Sequence, residues 1–315
     1  MNKILITGGA GFIGSSLAEK LLEDFNNFVV IIDNLSTGNL KKLPNIDNSR
    51  FKFINIDVND RVSLQEVMLS YKFDFVFHYA AMVGVKRTLE NPVDVLKDID
   101  GIHNIVDLSK NTGVKRIFYS SSSEIYGESI EFPQNEQTTP LNSRLPYAIV
   151  KNIGEAYLGA YHQKYGLNYT IFRFFNTYGP KQSRNFVISK FLYAASHNED
   201  ITIYGDGSQS RTFCYIDDNI NATYNAFKRN LFVNDVVNIG SDIEISIKDL
   251  AQLIIDITGS HSRIVHVPAL EDGDMHRRLP DISKMREKLW DPKISLEKGI
   301  LNILEKGLFE LQITS

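Results

Sequence analysis

The feature that most constrains the fold is a glycine-rich loop between a short apolar run and an amphipathic segment near the N-terminus. Lys3 to Thr7 is predicted as a strand and Ile13 to Glu23 as a helix, and Thr7-Gly8-Gly9-Ala10-Gly11-Phe12-Ile13-Gly14 joins them. The glycines have the spacing of a dinucleotide fingerprint in its strand-turn-helix context. Side chains there would keep a pyrophosphate away from the backbone amides at the helix N-terminus. The expected phosphate contacts are Gly8, Gly11, Phe12, Ile13 and Gly14.

The first half of the chain alternates short apolar runs with longer amphipathic segments, the pattern of successive strand-helix-strand units. Apolar runs of this kind are buried on both faces of a parallel sheet. Further strands are predicted at Phe28 to Ile32, Phe51 to Ile56, Phe73 to His78, Arg116 to Ser120 and Asn168 to Phe174. We therefore predict an α/β fold in which residues 1–176 form a dinucleotide-binding, Rossmann-type doubly wound parallel sheet.

The pattern loosens after residue 176. A helix is predicted at Phe186 to Ala195, a strand at Ile201 to Tyr204 and a helix at Asp217 to Arg229. We predict that residues 177–315 mainly form a smaller mixed α/β cap that binds the substrate. Val236 to Ile239 is expected to rejoin the main sheet, so part of this region (214–240) is assigned to the first domain.

Composition excludes several classes of function. The net charge is -4 and no run of Lys or Arg stands out, which argues against a nucleic-acid partner. Cys214 is the single cysteine, so the sequence has neither an intrachain disulfide nor a cysteine metal cluster. The N-terminal apolar stretch lacks the basic region and cleavage site of a signal peptide. We expect a cytoplasmic protein with no membrane segment and no bound metal.

Polar residues at the ends of the predicted strands indicate the cofactor. Asp33 ends the second strand about twenty residues after Gly14, where a carboxylate accepts hydrogen bonds from the adenosine ribose hydroxyls. Its charge would repel a 2′-phosphate, and neither Arg nor Lys adjoins it in sequence, so NAD is favoured over NADP. Further cofactor contacts are expected at the same sheet edge, at Asn34, Asp57, Val58, Tyr79, Ala80 and Ala81.

A tyrosine and a lysine form a candidate proton-transfer pair. Tyr147 and Lys151 are one turn apart at the start of the helical segment Tyr147 to Tyr165, so both project from one face. A lysine ammonium group there lowers the pKa of the tyrosine by favouring the phenolate. Such pairs are common, but the run Ser120-Ser121-Ser122-Ser123-Glu124-Ile125-Tyr126-Gly127 places hydroxyl groups directly after a strand, at the same sheet edge.

With these motifs the chain resembles the extended short-chain dehydrogenase/reductase family, in its nucleotide-sugar epimerase, dehydratase and decarboxylase branch. The resemblance runs from Lys3 to about Ile300 and includes Arg173 to Pro180, Gly205 to Arg211 and Arg277 to Asp281. It implies an NAD-dependent enzyme that oxidises C4 of a nucleotide-diphosphate sugar. It also assigns roles to residues: Ser122 binds the reacting sugar oxygen, Tyr147 is the acid/base, Lys151 lowers its pKa and holds the nicotinamide ribose, and Phe174 contacts the cofactor.

The resemblance also implies substrate contacts. A diphosphate requires local cations in a chain of net negative charge. Arg211 and Arg278 correspond to diphosphate and nucleotide contacts, and Asn176 to a donor to the same phosphates. The other expected substrate contacts are Ser122, Ser123, Asn185 and Val187. Arg277 fits a phosphate contact and a solvent-exposed arginine equally well.

The motifs do not decide which reaction follows C4 oxidation. The dehydratases have an Asp-Glu pair where this chain has Ser123 and Glu124, so the acid that expels water is missing. The decarboxylases have Ser-Glu there and a segment similar to Pro280 to Lys284, but Asn142 to Pro146 departs from their pattern. Glu124 is the candidate catalytic residue for such a second step.

A 4-epimerase needs only Ser122, Tyr147, Lys151 and room for the 4-keto sugar to turn over. We rank it first, followed by a net 4-dehydrogenase that releases the keto sugar, a UDP-glucuronate decarboxylase and a dehydratase. Asp98 stands where the family usually has an asparagine, near the expected nicotinamide, which leaves the return of hydride to the same sugar open.

Two further expectations concern partners. An NAD-binding regulator without catalysis is the non-enzyme alternative, and it is disfavoured because such proteins typically lose the tyrosine or the lysine. Relatives pair through the helix that begins at Tyr147 and the one predicted from about Pro92 to Lys110, so we expect a homodimer or a higher homo-oligomer.

Overall fold

The computed structural model describes residues 1–44, 49–269 and 275–307. The chain forms two compact units. The first contains Met1–Ile125, Ser143–Phe174 and Ile220–Val237. The second contains Tyr126–Asn142, Phe175–Asn219 and the described part of Asn238–Ser315. These boundaries differ from the predicted ones in that the segment Tyr126–Asn142 belongs to the second unit.

Strands and helices alternate along the chain through the first unit, and shorter strands and further helices follow in the second. The strands are β1 (Asn2–Thr7), β2 (Asn27–Asp33), β3 (Phe51–Asn55), β4 (Phe75–His78), β5 (Arg116–Ser122), β6 (Asn168–Phe174), β7 (Thr177–Tyr178), β8 (Ile201–Tyr204), β9 (Ser210–Thr212), β10 (Cys214–Tyr215), β11 (Asp235–Ile239), β12 (Glu244–Ser246) and β13 (Ile264–Val267). The helices are α1 (Phe12–Leu22), α2 (Arg61–Tyr71), α3 (Val85–Glu90), α4 (Pro92–Leu96), α5 (Asp98–Thr112), α6 (Pro146–Tyr165), α7 (Val187–Ser196), α8 (Ile216–Lys228), α9 (Ile247–Thr258), α10 (Ser283–Lys288) and α11 (Leu296–Lys306).

The central sheet has seven strands in the order β11-β6-β5-β4-β1-β2-β3. The pairs from β3 to β6 are parallel, for example Ile4 beside Val29 and Phe75. Strand order reverses between β1 and β4, so the loops after these strands diverge and leave a crevice at their carboxyl ends. The predicted doubly wound α/β fold is confirmed, and β11 returns to the main sheet as predicted.

Burial explains why the apolar runs became sheet strands. Residues Val29 to Ile32 of β2 have no exposed surface, as expected for a strand covered on both faces. One face packs on α2, α5 and α6 in a continuous apolar cluster. On another part of the sheet the rings of Phe77 and Phe118 stack 4.4 Å apart, with Phe227 of α8 against both.

The segment predicted as one helix from Pro92 to Lys110 is two helices, α4 and α5, so that prediction is wrong in this detail. The amide of Lys97 donates to the carbonyl of Asp94, and the amide of Asp100 donates to the carbonyl of Lys97. Both bonds span three residues rather than four, which tightens the chain into a turn. As a result α5 begins at Asp98.

The second unit is built from short strand pairs and helices. Its pairs are β7 with β10, β9 with β12 and β8 with β13. Helix α7 and strand β8 form where the sequence predicts them. Asp218 ties the chain near the C-terminus to this unit, because its carboxylate accepts hydrogen bonds from the Trp290 indole and the Ile294 amide.

Candidate active site

The glycine loop between β1 and α1 leaves no room for side chains. Gly8 has φ +65°, and a Cβ atom there would lie 2.7 Å from the backbone nitrogen of Ala80. A Cβ on Gly14 would lie 2.7 Å from the Gly8 carbonyl oxygen, and one on Gly11 would lie 3.0 Å from the same oxygen. Gly11 precedes α1, and no side chain caps the helix. The loop therefore fits a dinucleotide pyrophosphate, whose oxygens the uncapped amides can bind.

The Asp33 carboxylate is held at the end of β2 by the backbone. Its oxygens accept hydrogen bonds from the amides of Ala10 (3.0 Å) and Leu35 (2.8 Å). Burial raises the pKa of Asp33, while these two amides and the Lys42 cation oppose the rise. Each oxygen keeps a lone pair for a ribose hydroxyl. Sequence reasoning looked only at the neighbours of Asp33 and missed Lys42, which is brought close by the fold.

Two of the other predicted cofactor contacts touch each other. The side-chain amide of Asn34 donates to the Asp57 carboxylate over 2.9 Å, and that carboxylate also accepts from the backbone amide of Asn59 over 2.8 Å. The carbonyl of Val58 accepts from the side chain of Asn104 on α5. Asp57 is therefore an anchored group that shapes the loops after β2 and β3, rather than a freely solvated carboxylate.

Thr7, which sequence reasoning did not single out, organises the loop after β4. Its hydroxyl oxygen accepts from the amides of Tyr79 and Ala80, both over 3.1 Å. The hydroxyl lies 2.8 Å from Nδ1 of His78, and with two donors already on the oxygen its hydrogen points to that nitrogen. Burial, helped by the Lys151 cation, lowers the pKa of His78 to about 3. His78 is thus a neutral interior group.

Three predicted residues meet at the carboxyl ends of β4, β5 and β6. Ser122 ends β5 directly beside Phe174 of β6. The Phe174 ring packs edge-on against Tyr79, with the ring centroids 5.7 Å apart. The Ser122 hydroxyl accepts from the Glu124 amide over 3.1 Å, and Glu124 is half-buried while Ser123 is buried. These side chains occupy the edge at which doubly wound sheets bind ligands.

Lys151 is buried beside Tyr147. Its ammonium group donates to the carbonyl oxygen of Ser120 over 2.6 Å, and its Nζ atom lies 5.8 Å from the centroid of the Tyr147 ring. Burial lowers the pKa of Lys151 to about 8, and the carboxylate of Asp98 opposes this shift. The lysine therefore links α6, which carries Tyr147, to the strand that ends at Ser122.

A buried ion pair, also missed in the sequence, fixes the same helix to the sheet. Glu155 of α6 pairs with Arg173 of β6 over 2.7 Å, and both side chains are nearly inaccessible. The hydroxyl of Ser121 donates to the same carboxylate over 2.6 Å. Removing one partner would leave an uncompensated buried charge. The pair thus constrains the position of the α6 face that carries Tyr147 and Lys151.

The second unit brings the two predicted diphosphate arginines together. The Ser210 amide donates to the His276 carbonyl, and Ser210 forms a parallel bridge with Arg277. The next residues on the two segments, Arg211 and Arg278, are therefore neighbours, and both are buried. Arg277 points elsewhere, because its guanidinium pairs with Glu244 over 2.6 Å.

The other predicted substrate contacts are more scattered. The side-chain amide of Asn176 donates to the carbonyl of Thr212, next to Arg211, over 3.0 Å. Asn185 is exposed, and Val187 is the first residue of α7. Within the described ranges, no group of three or more His, Cys, Asp or Glu side chains could hold a metal ion. No helix in the same ranges has the length and apolar character to cross a membrane.

Comparisons with known proteins cover nearly the whole chain. The sequence model of the family described as "NAD dependent epimerase/dehydratase family" matches residues 4–240. A Methanocaldococcus jannaschii protein provisionally named a UDP-glucose 4-epimerase is 36% identical, over 96% of this chain and 97% of its own length. The UDP-N-acetyl-alpha-D-glucosaminuronate decarboxylase of Bacillus cytotoxicus is also 36% identical, with the same coverage. The structure of a Thermotoga maritima UDP-glucose 4-epimerase with UDP-glucose superposes with a TM-score of 0.91, at 33% identity and over 99% of both chains.

Proposed function

Because the chain belongs to the NAD-dependent epimerase/dehydratase family, within the extended short-chain dehydrogenase/reductases, we propose that it is a nucleotide-sugar 4-epimerase. NAD is its cofactor, and a nucleotide-diphosphate sugar is its substrate. When bound, NAD would supply the acceptor for the hydride that leaves C4 of the sugar and the donor for its return. The finer proposal is that the hydride returns to the opposite face of the same sugar.

The observation that carries the proposal is the assembly of Ser122, Tyr147 and Lys151 on one strand end and one helix. Lys151 is anchored to Ser120 on β5, two positions before Ser122, and it lies against the Tyr147 ring. Tyr147 takes the proton of the C4 hydroxyl during oxidation and gives it back during reduction. Ser122 holds the C4 oxygen, and the charged Lys151 favours the phenolate form of Tyr147.

The cofactor is held by the first unit in this proposal. The amides at the start of α1, in the loop from Gly8 to Gly14, bind the pyrophosphate. Asp33 accepts from the adenosine ribose hydroxyls, and Lys151 also donates to the nicotinamide ribose. The remaining contacts are made by residues after β2, β3, β4 and β6, namely Asn34, Asp57, Val58, Tyr79, Ala80, Ala81 and Phe174.

The nucleotide diphosphate is bound by cations of the second unit. Arg211 and Arg278 sit side by side on adjacent segments, so their charges reinforce each other at one place. Asn176 is next to this pair through its bond to Thr212. Asn185 and Val187 contact the nucleotide at the start of α7.

Decarboxylation is the second candidate, and Glu124 is the observation that favours it. Its amide is bonded to the Ser122 hydroxyl, which places Glu124 next to the proposed reaction centre. A carboxylate there could assist loss of CO₂ from a 4-keto uronic acid. Relatives at the same level of identity include both 4-epimerase and decarboxylase names.

The experiment that tests the proposal is a screen of UDP- and GDP-sugars with NMR analysis of the products, with and without an added keto acid. We expect a sugar inverted at C4, with no net accumulation of NADH and no dependence on the keto acid. Release of a 4-keto sugar that requires the keto acid would identify a net dehydrogenase. No change in any sugar, together with bound NAD, would point to the regulator alternative and overturn the proposal.

Assembly and location also remain proposals. We propose that the protein pairs through α4, α5 and α6, since α4 exposes the apolar side chains of Val93 and Leu96 and α6 exposes that of Ile149. Burial of such a surface in a homodimer would remove apolar area from water. A cytoplasmic location stays a prediction from the sequence.

A further inference from the structure

The loop after β2 folds back onto the glycine loop and closes around Asp33. The backbone amide of Ala10 donates to Oδ2 of Asp33 over 3.0 Å, and the carbonyl oxygen of Ala10 accepts from the amide of Asn39, also over 3.0 Å. The amide of Leu35 donates to the second carboxylate oxygen, Oδ1, over 2.8 Å. One chain of hydrogen bonds thus joins Asp33, Ala10 and Asn39, and the carboxylate is held from two sides.

The loop turns back sharply, at a cost in backbone strain. Leu35 has φ +59°, in the left-handed region that a leucine seldom adopts. The side chain of Asn39 then begins a short 3₁₀ turn, since its oxygen accepts from the amide of Lys41 over 2.9 Å. A strained residue persists only where its surroundings determine its conformation. The hydrogen bonds to Asp33 and Ala10 are the contacts that do so here.

Gly38 is the position at which this closed loop has no room for a side chain. A Cβ atom there would lie 2.5 Å from Oδ1 and 2.9 Å from Cγ of Asp33, and 2.9 Å from the methyl carbon of Ala10. The φ angle of Gly38 lies outside the left-handed region, so its backbone would accept an alanine. Glycine is therefore required by the closeness of the carboxylate and not by the backbone conformation. An added methyl group would have to displace that carboxylate or open the loop.

We propose that Gly38 is a positioning residue that acts through Asp33, and that the preference for NAD depends on where this carboxylate is held as well as on its charge. The inference rests on the proposed function in one respect, the role of Asp33 as acceptor for the adenosine ribose hydroxyls. A carboxylate fixed by two amides keeps its remaining lone pairs in set directions, which favours binding of hydroxyl groups. In the same place its negative charge repels a 2′-phosphate.

The discriminating variant is Gly38→Ala, because it keeps the charge of Asp33 and changes the position of that charge. If charge alone set the preference, this variant would reject NADP as strongly as the wild type does. Gly159→Ala on α6 is the matched control, since it is the same replacement at a site where no atom of another segment lies within 4 Å of the added Cβ. The affinities for NAD and NADP are measured by calorimetric titration of the whole chain, and thermal unfolding verifies that each variant is folded.

We expect Gly38→Ala to weaken NAD binding about tenfold, the effect of losing one hydrogen bond to a charged group. NADP gains nothing from this carboxylate, so its affinity should change little and the preference for NAD should fall by roughly the same factor. Both affinities should be unchanged in Gly159→Ala. An unaltered preference in Gly38→Ala would overturn the proposal, because the position of Asp33 would then have no influence on the choice of cofactor.

The second experiment combines Gly38→Ala with Asp33→Ala. If Gly38 acts through Asp33, Gly38→Ala should have no further effect on NAD affinity once the carboxylate is absent. A loss of affinity that is equally large in both backgrounds would contradict the proposal. Should Gly38→Ala alone fail to fold, recovery of folding in the double variant would support the proposal, since the added methyl group then meets no carboxylate. Failure of the double variant to fold would contradict it.

Asp33→Ala alone separates this inference from the proposed function. It should weaken NAD binding and lower the preference for NAD. If the preference is unchanged, the ribose role of Asp33 in the proposed function fails, and this inference fails with it. If Asp33→Ala lowers the preference and Gly38→Ala does not, the proposed role of Asp33 stands and only the inference on Gly38 fails.

Discussion

The Nζ atom of Lys151 donates a 2.6 Å hydrogen bond to the carbonyl oxygen of Ser120. This bond joins the helix that carries Tyr147 to the strand that ends at Ser122. The ion pair of Glu155 with Arg173 joins the same helix to the next strand. The sheet therefore fixes the positions of Tyr147, the proposed acid/base, and of Ser122, the residue proposed to hold the sugar. Proton transfer requires such groups to lie within hydrogen-bond reach of the substrate.

Replacing Tyr147 with Phe should lower kcat by about a hundredfold or more, because the group that exchanges the C4 hydroxyl proton is lost. The affinity for the nucleotide sugar should change little, since the diphosphate contacts are elsewhere. Tyr161→Phe, on the same helix, is the matched control and should keep the rate. Near-native turnover by Tyr147→Phe would remove Tyr147 from the mechanism.

The stability of the protein should depend on pH through Lys151. Burial lowers the pKa of Lys151 in the folded protein to about 8, below its ordinary value of 10.5. The folded chain therefore binds fewer protons than the unfolded chain between these values, so stability rises with pH there. The free-energy cost of burying the charge is present in full below about pH 8. It disappears as the pH rises through the pKa that Lys151 has in the unfolded chain.

Wild type should accordingly gain about 2 kcal/mol of stability relative to Lys151→Met between about pH 7 and pH 9.5. The measurement is the free energy of unfolding of each protein, obtained from urea unfolding curves at each pH. Lys164→Met, at an exposed position of the same helix, should show no such change. If the difference in the free energy of unfolding between wild type and Lys151→Met does not vary with pH, Lys151 is not a desolvated cation.

Gly11→Val should weaken NAD binding by about a hundredfold or more, because the new side chain fills the space between the loop and the pyrophosphate. A Cβ atom at Gly11 would already lie 3.0 Å from the Gly8 carbonyl oxygen. Gly159→Ala on α6 is the control, since no atom lies within 4 Å of its Cβ position and alanine favours the helix. Calorimetric titration with NAD measures both. Tight NAD binding by Gly11→Val would place the pyrophosphate elsewhere.

Arg278→Gln and Arg277→Gln should differ although the residues are adjacent. Arg278 is buried beside Arg211, so its loss should raise KM for the nucleotide sugar about tenfold or more with little change in kcat. Arg277 is engaged by Glu244, so its loss should leave KM nearly unchanged. Steady-state kinetics of the two variants measure KM and kcat, and equal melting temperatures show that both variants are folded to the same extent. A larger KM effect for Arg277→Gln would reverse this assignment.

The strands, the glycine loop and the Tyr147 helix could be predicted because local pattern and burial agree at these places. The interior strands are apolar on both faces, and the glycines are required by close backbone contacts such as that between Gly8 and Ala80. The prediction of one helix from about Pro92 to Lys110 failed at Lys97. The turn there depends on hydrogen bonds of backbone groups that no side-chain periodicity records.

Long-range electrostatic partners could not be predicted. The influence of Lys42 on Asp33, the pairing of Arg277 with Glu244 and the influence of Asp98 on Lys151 all join residues from separate elements. Such contacts arise from tertiary packing, and a single sequence contains no information on which charges meet. The motif resemblance predicts Ser122, Tyr147 and Lys151 as site residues, and only the fold shows which contacts hold them.

The most direct test of the proposed 4-epimerase is the reaction of its nucleotide-sugar substrate in deuterated water, with NMR analysis of the product. Inversion at C4 requires no proton loss at C5, so the product should be the C4 epimer without deuterium at C5. Glu124→Gln should retain much of the rate, because no second chemical step uses that carboxylate. Deuterium at C5, or loss of CO₂ from a uronic acid substrate with a stalled 4-keto intermediate in Glu124→Gln, would contradict the 4-epimerase and identify chemistry at C5.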